Sequence, residues 1–164
     1  MKFLVNSMLG KLTRFLRIFG YNTVYANDLI KIYNIDPVPD DFLIEYANNE
    51  NRIIITKDLA LYRRYKDKSI FLKGEGLYNY LDQLNKQIGL KFEFNLKRAR
   101  CSLCNSKLER VEDKISIKKD VLKETYNHFD IFYQCSSIQC KKVYWQGSHI
   151  EDIEYKLSKT FKYD

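Results

Sequence analysis

Four cysteines in two close pairs constrain this 164-residue chain more than any other feature. Cys101 and Cys104 are separated by two residues, Cys135 and Cys140 by four, and these are all the cysteines present. Two short pairs joined by a longer segment suit a tetrahedral metal site, because each pair can form a tight turn with both thiolates on one side. Soft sulfur ligands select Zn²⁺, so the spacing predicts a structural zinc site.

Two disulfides or four unrelated buried thiols are the alternatives to zinc. Disulfides form in oxidising compartments, and we find no segment that would direct the chain to one. Lys11, Arg14 and Arg17 follow the start too closely for the apolar core of a signal peptide. We therefore expect a cytoplasmic protein with reduced cysteines. The wider second pair leaves the geometry of that turn open.

The charge of the chain indicates an anionic partner. Lys and Arg outnumber Asp and Glu by 28 to 21, which gives a formal net charge of +7 and a pI of about 9.1. No apolar run approaches the roughly 18 residues of a membrane-spanning helix, so nucleic acid fits this charge better than a membrane does.

Strands and helices alternate through the first part of the chain. Short apolar or β-branched runs predict four strands, at residues 3–5, 23–26, 53–56 and 69–72. Amphipathic patterns predict three helices, over residues 9–19, from Asp40 and Asp41 onward, and over residues 77–88. Gly20 and Gly89 end the first and third of these helices. This alternation is typical of a parallel α/β sheet.

The pattern changes near residues 91–100. Lys97, Arg98 and Arg100 form a basic linker that leads into Cys101. Short β-like pieces follow at residues 115–117, 132–133 and 143–145, as expected of a zinc ribbon. A closing helix would carry on one side Ile150, Ile153, Leu157 and Phe161. We therefore predict an α/β domain over residues 1–95, followed by a zinc ribbon with a C-terminal helix over residues 96–164.

Polar residues stand where the predicted strands end. Asn6 ends the first strand, Asp58 closely follows the third, and Asp40 and Asp41 open the helix that leads into the third. In open α/β sheets, ligands bind at the carboxyl ends of the strands. Carboxylates converging there would suit Mg²⁺ or Mn²⁺. Taken singly, Asp40 could be only a helix N-cap and Asp58 only a loop residue.

A cationic stripe is predicted to flank this acidic centre. Lys11, Arg14 and Arg17 recur at three-residue spacing on the first helix. Such a stripe is commonly a solvated helix face, but beside a metal site it would also track a phosphate backbone. The candidate RNA-binding residues are Lys11, Arg14, Arg17, Lys57, Lys97, Arg98 and Arg100.

Several segments together resemble a known family. In the first domain they are residues 5–17 (VNSMLGKLTRFLR), 20–23 (GYNT) and 54–58 (IITKD). In the second they are residues 100–105 (RCSLCN) and 144–149 (YWQGSH). The chain resembles the PIN-like ribonuclease family called the Mut-seven C-terminal RNase domain, with the zinc ribbon that follows it. The combination spans nearly the whole chain, and either half alone would be a weaker match.

The resemblance implies a fold, an activity and roles for particular residues. It implies a PIN-like three-layer α/β/α domain with a parallel central sheet, followed by a small zinc ribbon that helps to grip RNA. It also implies a ribonuclease that depends on Mg²⁺ or Mn²⁺. Asp58 matches the acidic residue that ends the third strand, and Asp40, with Asp41 as a one-residue alternative, matches the one that opens the middle helix. Arg14 and Arg17 match the basic helix.

Asn6 departs from the family pattern, which has Asp at the end of the first strand. An amide oxygen can still contact a metal ion, but it carries no charge and cannot act as a base. The substitution is expected to weaken Mg²⁺ binding and to slow hydrolysis. It fits a weakened natural variant, an inactive RNA-binding descendant or a deliberate substitution.

Two functions therefore compete. The first is a metal-dependent ribonuclease in which Asp40 and Asp58 hold the ion, with Asn6 as a neutral ligand. The second is a catalytically inactive RNA-binding or ribosome-associated adaptor, for which Asn6 is the best argument. A toxin-like ribonuclease held by an antidote protein is disfavoured, because toxins of that kind usually lack a ribbon. The sequence leaves a homodimer open.

Overall fold

The computed structural model describes residues 1–161, which form two compact units. Unit 1 comprises residues 1–16 and 21–91, and unit 2 comprises residues 17–20 and the chain from Phe92 onward. The predicted boundary after residue 95 lies within unit 2. Residues 162–164, which end the predicted second domain, lie outside the described residues.

Unit 1 is built on a parallel sheet of four strands. They are β1 (Lys2–Val5), β2 (Asn22–Tyr25), β3 (Ile53–Thr56) and β4 (Ser69–Phe71), in the order β2-β1-β3-β4. All three pairings are parallel, which confirms the predicted α/β class. Apart from the exposed Lys2 that begins β1, the two central strands are largely apolar and buried, as expected of strands that are covered on both faces.

Helices flank this sheet. They are α1 (Gly10–Ile18), α2 (Ile30–Tyr33), α3 (Asp40–Asn49), α4 (Leu59–Arg64) and α5 (Leu77–Ile88). Leu43 and Leu61, from α3 and α4, join Leu4 and Ile54 of the central strands in one apolar core. α5 ends at Gly89, whose φ of 66° is the left-handed conformation that glycine adopts readily. Periodicity alone did not predict α2 and α4, which are too short to show it.

A buried arginine holds the amino-terminal ends of three strands together. Arg52 directly precedes β3, and its Nη1 donates to the carbonyl oxygen of Phe3 in β1 (3.3 Å). The same nitrogen donates to the Oδ1 of Asn22 in β2 (2.9 Å) and lies 3.4 Å from its carbonyl oxygen. Nη2 lies 3.6 Å from a carboxylate oxygen of Glu50. The sequence pattern gave no sign of this buried charge.

The described part of unit 2 contains a small antiparallel sheet and two α-helices that lie wholly within it. The strands are β5 (Leu108–Arg110), β6 (Tyr133–Cys135) and β7 (Val143–Tyr144), in that order. The helices are α6 (Lys123–His128) and α7 (Ser148–Thr160). Ile150, Ile153 and Leu157 of α7 are buried, as predicted for the closing helix. No helix within residues 1–161 is both long and apolar enough to cross a membrane.

The strand predicted at residues 115–117 is wrong. This segment forms a 3₁₀ helix, Lys114–Ile117. The side chain of Asp113 accepts a hydrogen bond from the Ile115 N–H (2.9 Å), and such local capping competes with extended structure. Ile117 then packs with Phe132 and Val143.

Candidate active site and metal centre

The parallel sheet of unit 1 brings Asn6 and Asp58 to the same edge. Asn6 directly follows β1, and its N–H donates to the carbonyl oxygen of Ile55 in the neighbouring strand β3 (3.0 Å). Asp58 lies two residues beyond the end of β3. Since β1 and β3 run in the same direction, both residues emerge at the carboxyl ends of the central strands.

Asn6 is buried, with 8% of its surface exposed, and its side chain caps the segment that follows. Its Oδ1 accepts hydrogen bonds from the Met8 N–H (3.3 Å) and the Ser7 hydroxyl (3.2 Å). Both bonds use an oxygen that aspartate also possesses. An aspartate at position 6 could therefore keep the same local structure and add a negative charge.

Asp58 is the N-cap of α4. Its Oδ1 accepts from the N–H groups of Ala60 (2.7 Å) and Leu61 (3.1 Å), and its own N–H donates to the Thr56 hydroxyl oxygen (2.9 Å). Within residues 1–161, the hydrogen bonds to the Asp58 carboxylate all use Oδ1. This arrangement orients the carboxylate and leaves Oδ2 for a ligand.

Asn6, Asp40 and Asp58 line one cleft of about 310 Å³. Asp40 is the first residue of α3, whose N-cap is Pro39, so Asp40 is not the capping residue. Asp41 does not line this cleft, and its side chain is 79% exposed. Of the two neighbouring aspartates weighed from the sequence, Asp40 is therefore the one that lies beside Asn6 and Asp58.

Asp40 lies close to two other carboxylates and one guanidinium group. Burial raises the pKa of Asp40, and the nearby carboxylates of Asp58 and Asp41 raise it further. Arg64 opposes this shift, with its Nη1 3.6 Å from Asp40 Oδ2, and it also pairs with Asp41. Two neighbouring carboxylates beside an amide oxygen are a donor set that suits a hard divalent cation. Arg64 was not identified from the sequence.

Three of the predicted cations in unit 1 keep exposed or partly exposed side chains. Lys11 and Arg14 are exposed on α1. Lys57 pairs with Glu75, and its Nζ lies 5.6 Å from the centre of the Tyr80 ring. Within residues 1–161, none of the predicted cations lines the cleft. Their contact with RNA stays a prediction.

The prediction that Arg17 belongs to an exposed cationic stripe is wrong. Arg17 is 3% exposed, and its Nη1 donates to the carbonyl oxygens of Ser102 (3.1 Å) and Leu103 (2.8 Å). A three-residue step falls short of a 3.6-residue turn, so a stripe at that spacing rotates about 60° per step around the helix. By the third position it has left the exposed face. Arg17 instead supports the loop between Cys101 and Cys104.

The linker cations divide into one structural residue and two exposed ones. Arg100 is half-buried, and its Nε donates to the carbonyl oxygen (2.8 Å) and the Oδ1 (3.1 Å) of Asn105. Lys97 and Arg98 are exposed, and Arg98 lies 3.5 Å from Glu93. Arg100 therefore also holds the first cysteine turn in shape, while the proposed RNA contacts of all three stay predictions.

The four cysteines converge in unit 2. Their sulfur atoms all lie within 4.8 Å of one another, with Cys101 and Cys140 at 3.6 Å and Cys104 and Cys135 at 3.3 Å. All four are free thiols in this structure. Thiolates around one Zn²⁺, at about 2.3 Å from it, would stand about 3.8 Å apart. The cluster therefore fits a four-sulfur metal site.

The wider second cysteine pair forms a turn closed in the same way as the first. Asn105 follows Cys104 with a φ of 67°, and Lys141 follows Cys140 with a φ of 50°. In the first turn the Cys101 N–H donates to Ser106, and in the second the Cys135 N–H donates to Lys142, both at 2.8 Å. The two additional residues of the second pair are accommodated because the N–H of Cys140 donates to the carbonyl oxygen of Ser137 (3.1 Å).

The thiols differ in acidity. Burial raises the pKa of Cys104, but hydrogen bonding with Ser106 and contacts with Cys135 and Cys101 outweigh burial and lower it to about 7. Burial raises the pKa of Cys135 and of Cys140. Burial and the neighbouring Cys101 likewise raise the pKa of the Tyr144 hydroxyl. A metal ion would therefore have to displace protons from buried thiols on binding.

The family model described as the Mut7-C RNAse domain matches residues 1–157. The match covers nearly the whole chain, and the chain belongs to this family, which confirms the resemblance found from its motifs. A search of curated proteins finds no significant match.

The coupling of Asp40 to its neighbours can be measured. We expect Asp58→Asn to lower the pKa of Asp40, because it removes a repelling negative charge. Arg64→Gln should raise that pKa further, because it removes the stabilising cation. Carboxyl ¹³C NMR titration of both variants measures these shifts. An Asp40 pKa unchanged in Asp58→Asn would contradict the arrangement.

Proposed function

We propose that this chain, a member of the Mut7-C RNAse domain family, is a ribonuclease that hydrolyses RNA phosphodiester bonds with Mg²⁺ or Mn²⁺. The observation that carries the proposal is the convergence of Asn6, Asp40 and Asp58 on one cleft at the carboxyl edge of the sheet. The net charge of +7 also favours association with a polyanion.

Asp40 and Asp58 would hold the ion, and Asn6 could add its Oδ1 as a neutral ligand only by giving up one of the hydrogen bonds that this oxygen accepts from Ser7 and Met8. When bound, the ion would lower the pKa of a water molecule and offset charge on the phosphodiester. Asp58 suits this role because its capping bonds to α4 fix one oxygen and leave the other for a ligand. Asn6 is oriented by its bonds to Ser7 and Met8.

The charge of Asp40 would be balanced by the ion. Without a cation, burial and Asp58 raise the pKa of Asp40, so a bound divalent cation would favour its ionised form. Arg64, which pairs with Asp40 and Asp41, limits this rise and keeps part of the negative charge neutralised. The charge that an ion would meet at Asp40 therefore depends on the balance between Asp58 and Arg64.

Asn6 supports a second candidate function, an RNA-binding or ribosome-associated adaptor that no longer cleaves. The cleft is lined by two carboxylates, those of Asp40 and Asp58, and by the Asn6 amide. The family pattern has a third carboxylate at the position of Asn6. Fewer negative charges weaken the hold on a hard cation and slow the hydrolysis that depends on it. The adaptor would bind RNA without cleaving it, and its binding would weaken with salt.

Restoring the missing charge separates the two functions. We expect Asn6→Asp to cleave a labelled mixed-sequence RNA about tenfold or more faster than the parent in Mn²⁺, because it adds a metal-binding carboxylate. Adding Asp58→Asn to that variant should abolish the gain. Asparagine at position 58 keeps the oxygen that caps α4 and removes only the charge.

The control is Asp67→Asn in the Asn6→Asp background, since Asp67 is exposed and does not line the cleft. It should cleave like Asn6→Asp alone. Cleavage that survives Asp58→Asn would overturn the site assignment. RNA binding without cleavage in all variants would establish the adaptor instead.

We infer that Zn²⁺ is the ion of the cysteine cluster and that its role is structural. The support is a closed set of four soft donors, Cys101, Cys104, Cys135 and Cys140, with sulfur separations close to those of a tetrahedral thiolate site. With four protein ligands, such a site has no open position for a substrate. The ion would hold the two cysteine turns of unit 2 together.

Removal of the ion should loosen unit 2. Trp145 is the only tryptophan in the chain, and it packs against Phe129 and Phe132 at ring-centre distances of 6.4 and 6.2 Å. Structural zinc contributes directly to folding. We expect a strong chelator to red-shift Trp145 emission while the amides of β1 and β3 stay protected from hydrogen exchange. Chelation that changes neither signal, or purified protein without zinc, would contradict this role.

A further inference from the structure

We propose that the hydroxyl of Tyr144 donates a hydrogen bond to the metal-bound thiolate of Cys101 and so strengthens the hold of the cluster on its ion. The inference rests on the zinc site proposed above. Tyr144 lies in β7, and its Oη is 3.2 Å from Cys101 Sγ. The same oxygen is 2.9 Å from the Ser102 nitrogen and 3.0 Å from Ser102 Oγ.

The donor and acceptor roles follow from counting hydrogens and lone pairs. The Ser102 N–H can only donate, so the tyrosine oxygen accepts there. A thiolate carries no hydrogen, so between Oη and Sγ the tyrosine must donate. Its second lone pair then accepts from the Ser102 hydroxyl. One arrangement satisfies all three contacts, and in it the only hydrogen of the Tyr144 hydroxyl points at the sulfur of Cys101.

The fold holds this hydroxyl in place. Tyr144 pairs across the sheet with Tyr133 of β6, and its ring packs against the core that contains Cys101 and Cys135. The Nζ of Lys142 lies 5.4 Å from the centre of the ring. Because strand pairing, core packing and two hydrogen bonds from Ser102 fix the tyrosine, little freedom is lost when it bonds to the sulfur.

Burial makes this bond difficult to replace. Cys101 is fully buried, so water cannot readily take the place of a missing hydroxyl. Cys104 also has a hydroxyl neighbour, Ser106 at 3.3 Å, but Cys104 is exposed and solvent can compensate there. Four thiolates around a divalent cation leave excess negative charge, which a donor to sulfur reduces. Loss of a hydrogen-bond partner that orients a metal ligand commonly lowers metal affinity about 10–100-fold.

Cobalt substitution tests the inference, because Co²⁺ reports on sulfur through its thiolate-to-metal charge-transfer absorption. In Tyr144→Phe the sulfur loses its donor and becomes richer in electrons, so this band should move to longer wavelength. Co²⁺ affinity should fall about 10–100-fold, and zinc transfer to a chelator should become faster. All measurements use the full chain.

Tyr133→Phe is the matched control. It removes a hydroxyl from the cross-strand neighbour of Tyr144, in the same core, without removing a bond to a cysteine. The charge-transfer band and the Co²⁺ affinity of Tyr133→Phe should match those of the parent protein.

Three results would overturn the inference. A Tyr144→Phe spectrum and affinity equal to those of the parent would show that the hydroxyl does not act on the sulfur. An equal shift of the charge-transfer band in Tyr133→Phe would show that loss of any hydroxyl from this core changes the band. A parent protein that binds neither Co²⁺ nor Zn²⁺ would remove the metal site itself, and the inference with it.

Discussion

The parallel pairing of β1 with β3 is the constraint on which the candidate active site depends. Because both strands run in the same direction, Asn6 and Asp58 emerge at one edge of the sheet, although they are far apart in sequence. At the opposite ends, Arg52 donates to Phe3 and Asn22 and so links β3 with β1 and β2. The buried charge at one end of the sheet therefore supports the alignment of the candidate ligands, Asn6 and Asp58, at the other.

Both candidate sites are shaped by local structure that does not depend on a ligand. Asn6 and Asp58 each use Oδ1 to cap the segment that follows, which fixes their orientation before any ligand binds. In unit 2, the left-handed conformations of Asn105 and Lys141 close the cysteine turns. Ligand groups held in this way lose little conformational freedom on binding, which favours affinity. Substitutions here must therefore preserve the capping atom if they are to report on chemistry alone.

Sequence reasoning succeeded where a local pattern reflects a local cause. The β-branched run at β3 and the two cysteine pairs led to the parallel sheet and to the thiol cluster. It failed where contacts between distant segments determine the position of a side chain. The burial of Arg17 depends on the rotation of α1 relative to its three-residue stripe, and the role of Arg52 depends on the register of three strands. Residues 115–117 have strand-like composition, but the cap from Asp113 selects a 3₁₀ helix instead.

The most direct test of the proposed catalytic site is where Mn²⁺ binds. A paramagnetic ion broadens the amide NMR signals of nearby residues, and we predict early, selective broadening at Ser7, Asn27 and Asp40, which border the cleft. Asp58→Asn should greatly reduce this broadening, because it removes one of the two carboxylates that would hold the ion. Broadening spread over exposed acidic residues, or unchanged by Asp58→Asn, would contradict a metal-dependent site at this edge of the sheet.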